Sequence, residues 1–100
     1  MTVLIAGGDR IATLERTLHD AGYEHLKHWH GRKAGQRHWR MPSDLELVVM
    51  VVDQISHSFA ARIRRDAAQL GVPIAYTARS PVQLARVLAE REGATILAAA

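Results

Sequence analysis

Six consecutive apolar residues, Leu47-Val48-Val49-Met50-Val51-Val52, run into Asp53, Ser56 and His57, and few folds accept such a stretch. Valine dominates it, and it lacks the alternation of a strand with one wet face. It reads as a strand buried on both faces, the usual condition in a parallel sheet. In open α/β sheets, ligands bind in the crevice beyond the carboxyl ends of the strands, so Asp53 and His57 fall where chemistry is normally put.

The rest of the chain alternates short apolar runs with helical periodicity. Val3-Leu4-Ile5-Ala6 is a strand stopped by Gly7-Gly8-Asp9, and Ile11, Leu14, Leu18 and Ala21 then recur at helical spacing before Gly22. Tyr23 to His30 is the second strand, with His28 and His30 on one face at a period of two. Arg32 to Asp44 shows no apolar stripe and reads as a long loop or a short irregular helix. Ser56 caps a helix whose stripe is Phe59, Ile63, Ala67 and Leu70 and which ends at Gly71; Val72 to Tyr76 is the fourth strand. Ser80-Pro81-Val82-Gln83 announces a last helix with a hydroxyl cap, a first-position proline and a capping-box glutamine, running to Gly93. Ala94 to Ala100 is expected to add a short edge strand. With right-handed crossovers, this order predicts a single α/β domain over residues 1–100, three-layered and Rossmann- or flavodoxin-like, with a four- to five-stranded parallel sheet. The expected strand order is second, first, third, fourth, with the switch point between the ends of the first and third strands.

Composition narrows the function classes. The absence of cysteine excludes disulfides, thiolate metal sites and cysteine nucleophiles. No apolar run reaches the roughly 20 residues that span a bilayer, and no charged-then-apolar leader precedes the first strand. A cytoplasmic protein away from membranes is expected. The net charge is only +3, yet Arg32, Lys33, Arg37 and Arg40 cluster, and no acid lies between Glu24 and Asp44. That cluster suits an anion such as a nucleotide phosphate; so small an excess disfavours non-specific nucleic-acid binding.

Gly7 and Gly8 would let a ligand or another backbone approach closely. They lack the third glycine of a dinucleotide fingerprint and the lysine of a phosphate loop, so a tight βα turn is the preferred reading. Asp9 and Asp53 resemble the acids of a phosphoacceptor site, but no acidic pair follows the first strand and no lysine closes the last. Ser56 and His57 are adjacent, which does not aim the hydroxyl at the ring. Catalysis is therefore not expected.

The histidines carry the strongest case. Residues two apart on a strand lie roughly 6.5–7 Å from each other with both side chains on one face, close enough for His28 and His30 to hold one metal or flank a planar cofactor. His57 stands at a helix start, where the positive end of the dipole favours the neutral ring that ligates metals. Trp29, Trp39, Arg32 and Arg37 are suitable walls and anchors for a flat anionic cofactor. The blander reading makes His57 part of the cap, Asp53 a bond to the turn, and His28 with His30 the wet face of an edge strand.

Val3 to Asp9, Gly22-Tyr23, Gly31-Arg32, Asp44 to Val49, Gly71-Val72-Pro73 and above all Asp53-Gln54-Ile55-Ser56-His57 resemble the DUF2325 family, from Val3 to Ser80. The resemblance implies an α/β sheet in a bacterial cytosolic protein, and it implies haem and diatomic gases as ligands. On that footing His57 is the matched iron ligand, His30 and His28 are further candidates, Arg32 contacts a propionate, and Gly7 and Gly8 line the cofactor. The expectation is a histidine-ligated haem protein that binds or senses gas, with zinc or another divalent metal as the alternative at His57 and His30. The runner-up is an anion-binding regulatory module built on residues 32–40. A homo-oligomer is expected in either case.

Overall fold

The computed structural model describes residues 1–31 and 40–99, with side chains in the last helix described as far as Arg91. Its elements are β1 (Thr2–Ala6), α1 (Ala12–Asp20), β2 (His25–Trp29), β3 (Leu45–Val51), α2 (His57–Leu70), β4 (Ile74–Thr77) and α3 (Pro81–Ala99). The four strands form one parallel sheet in the order β2-β1-β3-β4. This is the flavodoxin-like α/β arrangement expected from the alternation of apolar runs and helical stripes.

The two central strands are apolar on both faces because both faces are covered. Val3, Ile5, Leu47, Val49 and Val51 pack with Ile11, Leu14 and Leu18 of the α1 region and with Leu84 and Leu88 of α3. Leu4, Ala6, Val48 and Met50 point the other way, onto Phe59, Ala60, Ile63 and Ala67 of α2. Right-handed crossovers produce this division: β1 to β2 steps one way across the sheet and β3 to β4 the other, so α1 and α2 fall on opposite faces.

Local signals set most of the element ends. Ser56 Oγ accepts the Phe59 N–H at 3.2 Å, and Gly71, at φ +69°, closes α2 with its N–H. Ser80 caps α3 by accepting the Gln83 N–H at 3.3 Å. The Gln83 side chain reaches back to the Ala78 N–H rather than to that of Ser80, two residues beyond its usual capping-box partner. At the amino edge the Thr2 hydroxyl donates to Asp44 at 2.8 Å, and this bond holds the Asp44 carboxyl below its ordinary value.

Several expected boundaries differ, among them that of the fourth strand, which is Ile74–Thr77 rather than Val72 to Tyr76. The proposed edge strand Ala94–Ala100 is not formed: the described chain is helical through Gly93 as far as Ala99. One glycine costs a helix only about 1 kcal/mol against alanine, and the surrounding alanine, glutamate, arginine and leucine are strong helix formers. Tyr23 and Glu24 do not join β2, because the Tyr23 N–H is spent on the Leu18 carbonyl in closing α1, and His30 falls outside it at the other end, since β2 stops at Trp29. Val52 leaves the buried run; it is 51% exposed, one residue past β3.

Candidate functional site

The carboxyl ends of the four strands are tied together by a continuous set of backbone bonds. The Gly7 N–H donates to the Trp29 carbonyl at 2.8 Å and the Gly8 N–H to the Gln54 carbonyl at 2.9 Å, joining the ends of β2, β1 and β3. The Val52 N–H donates to the Thr77 carbonyl at 2.9 Å, and Asp53 accepts the Arg79 N–H at 3.2 Å, joining β3 to β4. The Arg79 guanidinium lies 3.6 Å from the other Asp53 oxygen. Asp53 is therefore a strut between two turns, the role its turn-bonding reading gives it.

Gly7 and Gly8 admit the protein's own chain. Gly7 has φ +88°, and a Cβ there would come within 2.9 Å of both the Gln54 carbonyl oxygen and Ile55 Cβ. Gly8 has φ +80°, and its Cβ would meet Ile11 Cγ2 at 2.9 Å. Gly7 is thus required by the meeting of the β1 and β3 turns, and Gly8 by its positive φ and the side chain of Ile11.

His28 fastens that turn from the side. Its Nε2 lies 2.8 Å from the Gly7 carbonyl oxygen and 3.1 Å from that of Gly8. Both partners are acceptors, so the ring nitrogen carries the hydrogen and donates it. His30 is next to it, with ring centroids 6.1 Å apart at 69°. The His28 ring belongs to the α1/α3 side of the sheet, since Leu26 packs there whereas Trp29 packs under α2; His30 lies one residue past the end of β2.

His57 is the first residue of α2 and is exposed. It therefore starts the helix on the opposite face from His28. The first turns of α2 form a cleft of about 430 Å³ lined by Gly31, Ser56, Ser58, Phe59, Arg62 and Arg65 among others, with His57 itself outside the lining. The floor is tightly built: a Cβ at Gly31 would run into the Phe59 ring. The Arg62 guanidinium lies 5.7 Å from the Trp29 ring centroid, a cation–π distance. Asp66 faces both arginines, at 3.3 Å from Arg62 and 3.6 Å from Arg65.

Arg62 and Arg65 escape a reading that looks for runs of charge. Their signal is helical spacing, because Ser58, Ala61, Arg62 and Arg65 share one face directly after the Ser56 cap. Arg32, Lys33, Arg37, His38 and Trp39, the expected anion cluster and one aromatic wall, lie outside the described residues. Arg40 is described and exposed. Among the described residues no group of three or more His, Asp or Glu side chains is gathered for a metal, and no helix is long and apolar enough to cross a membrane.

A family model described as "Uncharacterized protein conserved in bacteria (DUF2325)" matches residues 2–91. The chain belongs to the DUF2325 family. No curated protein and no solved structure matches it. The DUF2325 match includes every strand, α1, α2 and the first half of α3, and so takes in both the His28–His30 pair and the α2 cleft.

Proposed function

We propose that this chain binds haem at the carboxyl edge of its sheet, with His57 as the iron ligand, and serves to bind or sense a diatomic gas rather than to turn over a substrate. The observation that carries the reading is the cleft at the first turns of α2, about 430 Å³, whose lining holds Ser56 and Ser58, the chain neighbours of His57, with an aromatic residue and two guanidinium groups. Cofactor sites occupy a few hundred Å³ and combine apolar walls with a few oriented polar groups. Phe59 and the close-packed Gly31 supply wall, and the exposed Arg65 supplies a partner for a carboxylate, a group that guanidinium matches well, while Asp66 and Trp29 hold Arg62 beside it. An exposed imidazole beside such a cleft completes a donor set of the kind haem uses. The haem would supply an iron able to take up a small gas; the protein would supply the nitrogen ligand, the wall and the anionic anchors.

The test is spectroscopic. Hemin added to the full chain is expected to give an intense Soret band that shifts or disappears in His57→Ala at unchanged melting temperature. A spectrum equal to that of free hemin, or an identical spectrum from His57→Ala, overturns the proposal.

One observation favours a second reading. Both arginines and the head of α2 converge on the same cleft, an arrangement that also suits a phosphate-bearing anion. In that case pyrophosphate or a nucleotide binds without any haem signal, affinity falls with added salt, and Arg65→Gln weakens it.

A further inference from the structure

We propose that β4 is an interface strand: two copies of this chain pair antiparallel through their β4 edges and join their sheets into one. The contact lies at the opposite edge of the sheet from β2 and is independent of the haem reading.

The bonds on the inner side of β4 define its outer side. β4 ends the order β2-β1-β3-β4. The Pro73 and Thr77 carbonyls accept the Val48 and Val52 N–H groups, at 3.0 and 2.9 Å. Successive residues of a strand turn their backbone groups to alternate sides, so Ala75 also bonds β3, and the N–H and C=O of Ile74 and Tyr76 point away from the sheet. Among the described residues no strand lies on that side. A row of donors and acceptors of this kind is a template for another strand.

Charge separates the two edges of the sheet. Edge strands are commonly guarded by charged residues, lysine above all, and β2 follows this rule with His25 and Lys27 exposed. β4 carries no such guard, since no charged residue lies between Asp66 and Arg79. Apart from Met1, the large apolar side chains exposed among the described residues are Val52, Leu70, Tyr76 and Val82. Leu70 ends α2 just before β4, Tyr76 stands within β4 and is 46% exposed, Val82 is in the first turn of α3, and Val52 is bonded to Thr77.

A second copy is the occupant because the strand complements itself. A two-fold axis through Ala75 sets Ile74 of each chain opposite Tyr76 of the other. These are the residues with outward backbone groups, so each pair exchanges both its N–H···O bonds. Their side chains share the α2 face, since Ile74 packs there and Tyr76 is in register with Met50. An aliphatic residue opposite an aromatic one is a favourable cross-strand pair. On the other face Ala75 meets Ala75 in the closer, non-hydrogen-bonded position, where a small side chain fits.

The ends of the strands are complementary in charge. The same axis sets the Arg79 end of each β4 against the Gly71 end of the other. α2 finishes there with no basic residue in its last turn. Arg79, largely exposed beside Asp53, brings a cation to that negative helix end. Pairing β2 in the same way would lay Lys27 on Lys27, a repulsive pair, and joining β2 to β4 would leave edges open for filament growth.

The experiment follows the full chain by sedimentation over a concentration series and by amide exchange. A dimer is expected, and its formation protects the Ile74 and Tyr76 amides, which exchange fast in the dissociated chain while Ala75 and Thr77 stay protected by β3. Tyr76→Lys places the missing guard at an exposed position and is expected to weaken the dimer by about tenfold or more with the native circular dichroism retained. Lys27→Glu is expected to leave it unchanged. A chain that stays monomeric up to millimolar concentration, a dimer whose Ile74 and Tyr76 amides remain unprotected, or one indifferent to Tyr76→Lys overturns the proposal. Open-ended growth overturns it too, as does a dimer altered by Lys27→Glu, which assigns the contact to β2. If Tyr76→Lys unfolds, the amide exchange of the unaltered chain and Lys27→Glu decide.

Discussion

At Gly7 the backbone sits at φ +88°, and the space where a Cβ would stand is filled by the Gln54 carbonyl and Ile55 Cβ, each 2.9 Å away. Gly7→Ala therefore meets two costs at once: about 1–2 kcal/mol for a left-handed alanine and about 1–3 kcal/mol for overpacking against backbone that cannot yield. A loss of about 3 kcal/mol in denaturant unfolding is expected, and a loss under about 1 kcal/mol would show that the β1 and β3 turns can separate. The same substitution should loosen the His28 clamp, since the Gly7 carbonyl is its nearer acceptor. The sequence shows a glycine pair after a strand, and that pattern is shared by turns that receive a phosphate and turns that receive another loop. What distinguishes them is the loop from Gln54 to Ser56, whose approach depends on β3 lying next to β1 and is invisible in residues 7 and 8 themselves.

α2 carries the cleft, and its start is fixed by one side chain. Ser56 Oγ accepts the Phe59 N–H, so Ser56→Ala leaves that donor to water and is expected to cost about 1 kcal/mol in unfolding free energy. Ser56→Asp should retain most of it, and equal stability of the alanine and aspartate variants would mean that the cap is not what fixes the helix start. Caps were readable because they are local: Ser56, Ser80, Pro81 and Gly71 each act within four residues of themselves. The far end of α3 was not readable that way. Gly93 is the same stop signal as Gly71, yet the chain turns left-handed at Gly71 and remains helical past Gly93. A glycine permits a helix end without enforcing one, and the residues on either side decide. The strand β2 shows a similar competition, where Tyr23 has β propensity but its N–H closes α1.

On the scale of the molecule, the sheet order β2-β1-β3-β4 determines which histidines can cooperate. The order itself was legible, because alternation plus right-handed crossovers leaves few arrangements. The side of β2 on which His28 projects was less so: alternation along His25–Trp29 does not say which helix layer each face meets, and the packing of Trp29 under α2 fixes the parity. Once it is fixed, His57 and His28 belong to different layers. The same layout predicts a gradient of local stability. β1 and β3 are buried on both faces and paired on both edges, and Leu4, Ile5, Leu47 and Val48 are fully buried. Their amides are expected to exchange with solvent only through global unfolding, whereas β2, with His25 and Lys27 exposed, opens at lower cost. Exchange of His25–Trp29 as slow as that of Leu47–Val51 would contradict this layering. Binding to a native site raises the cost of every opening that destroys it. Hemin ligated by His57 should therefore slow exchange first at the start of α2.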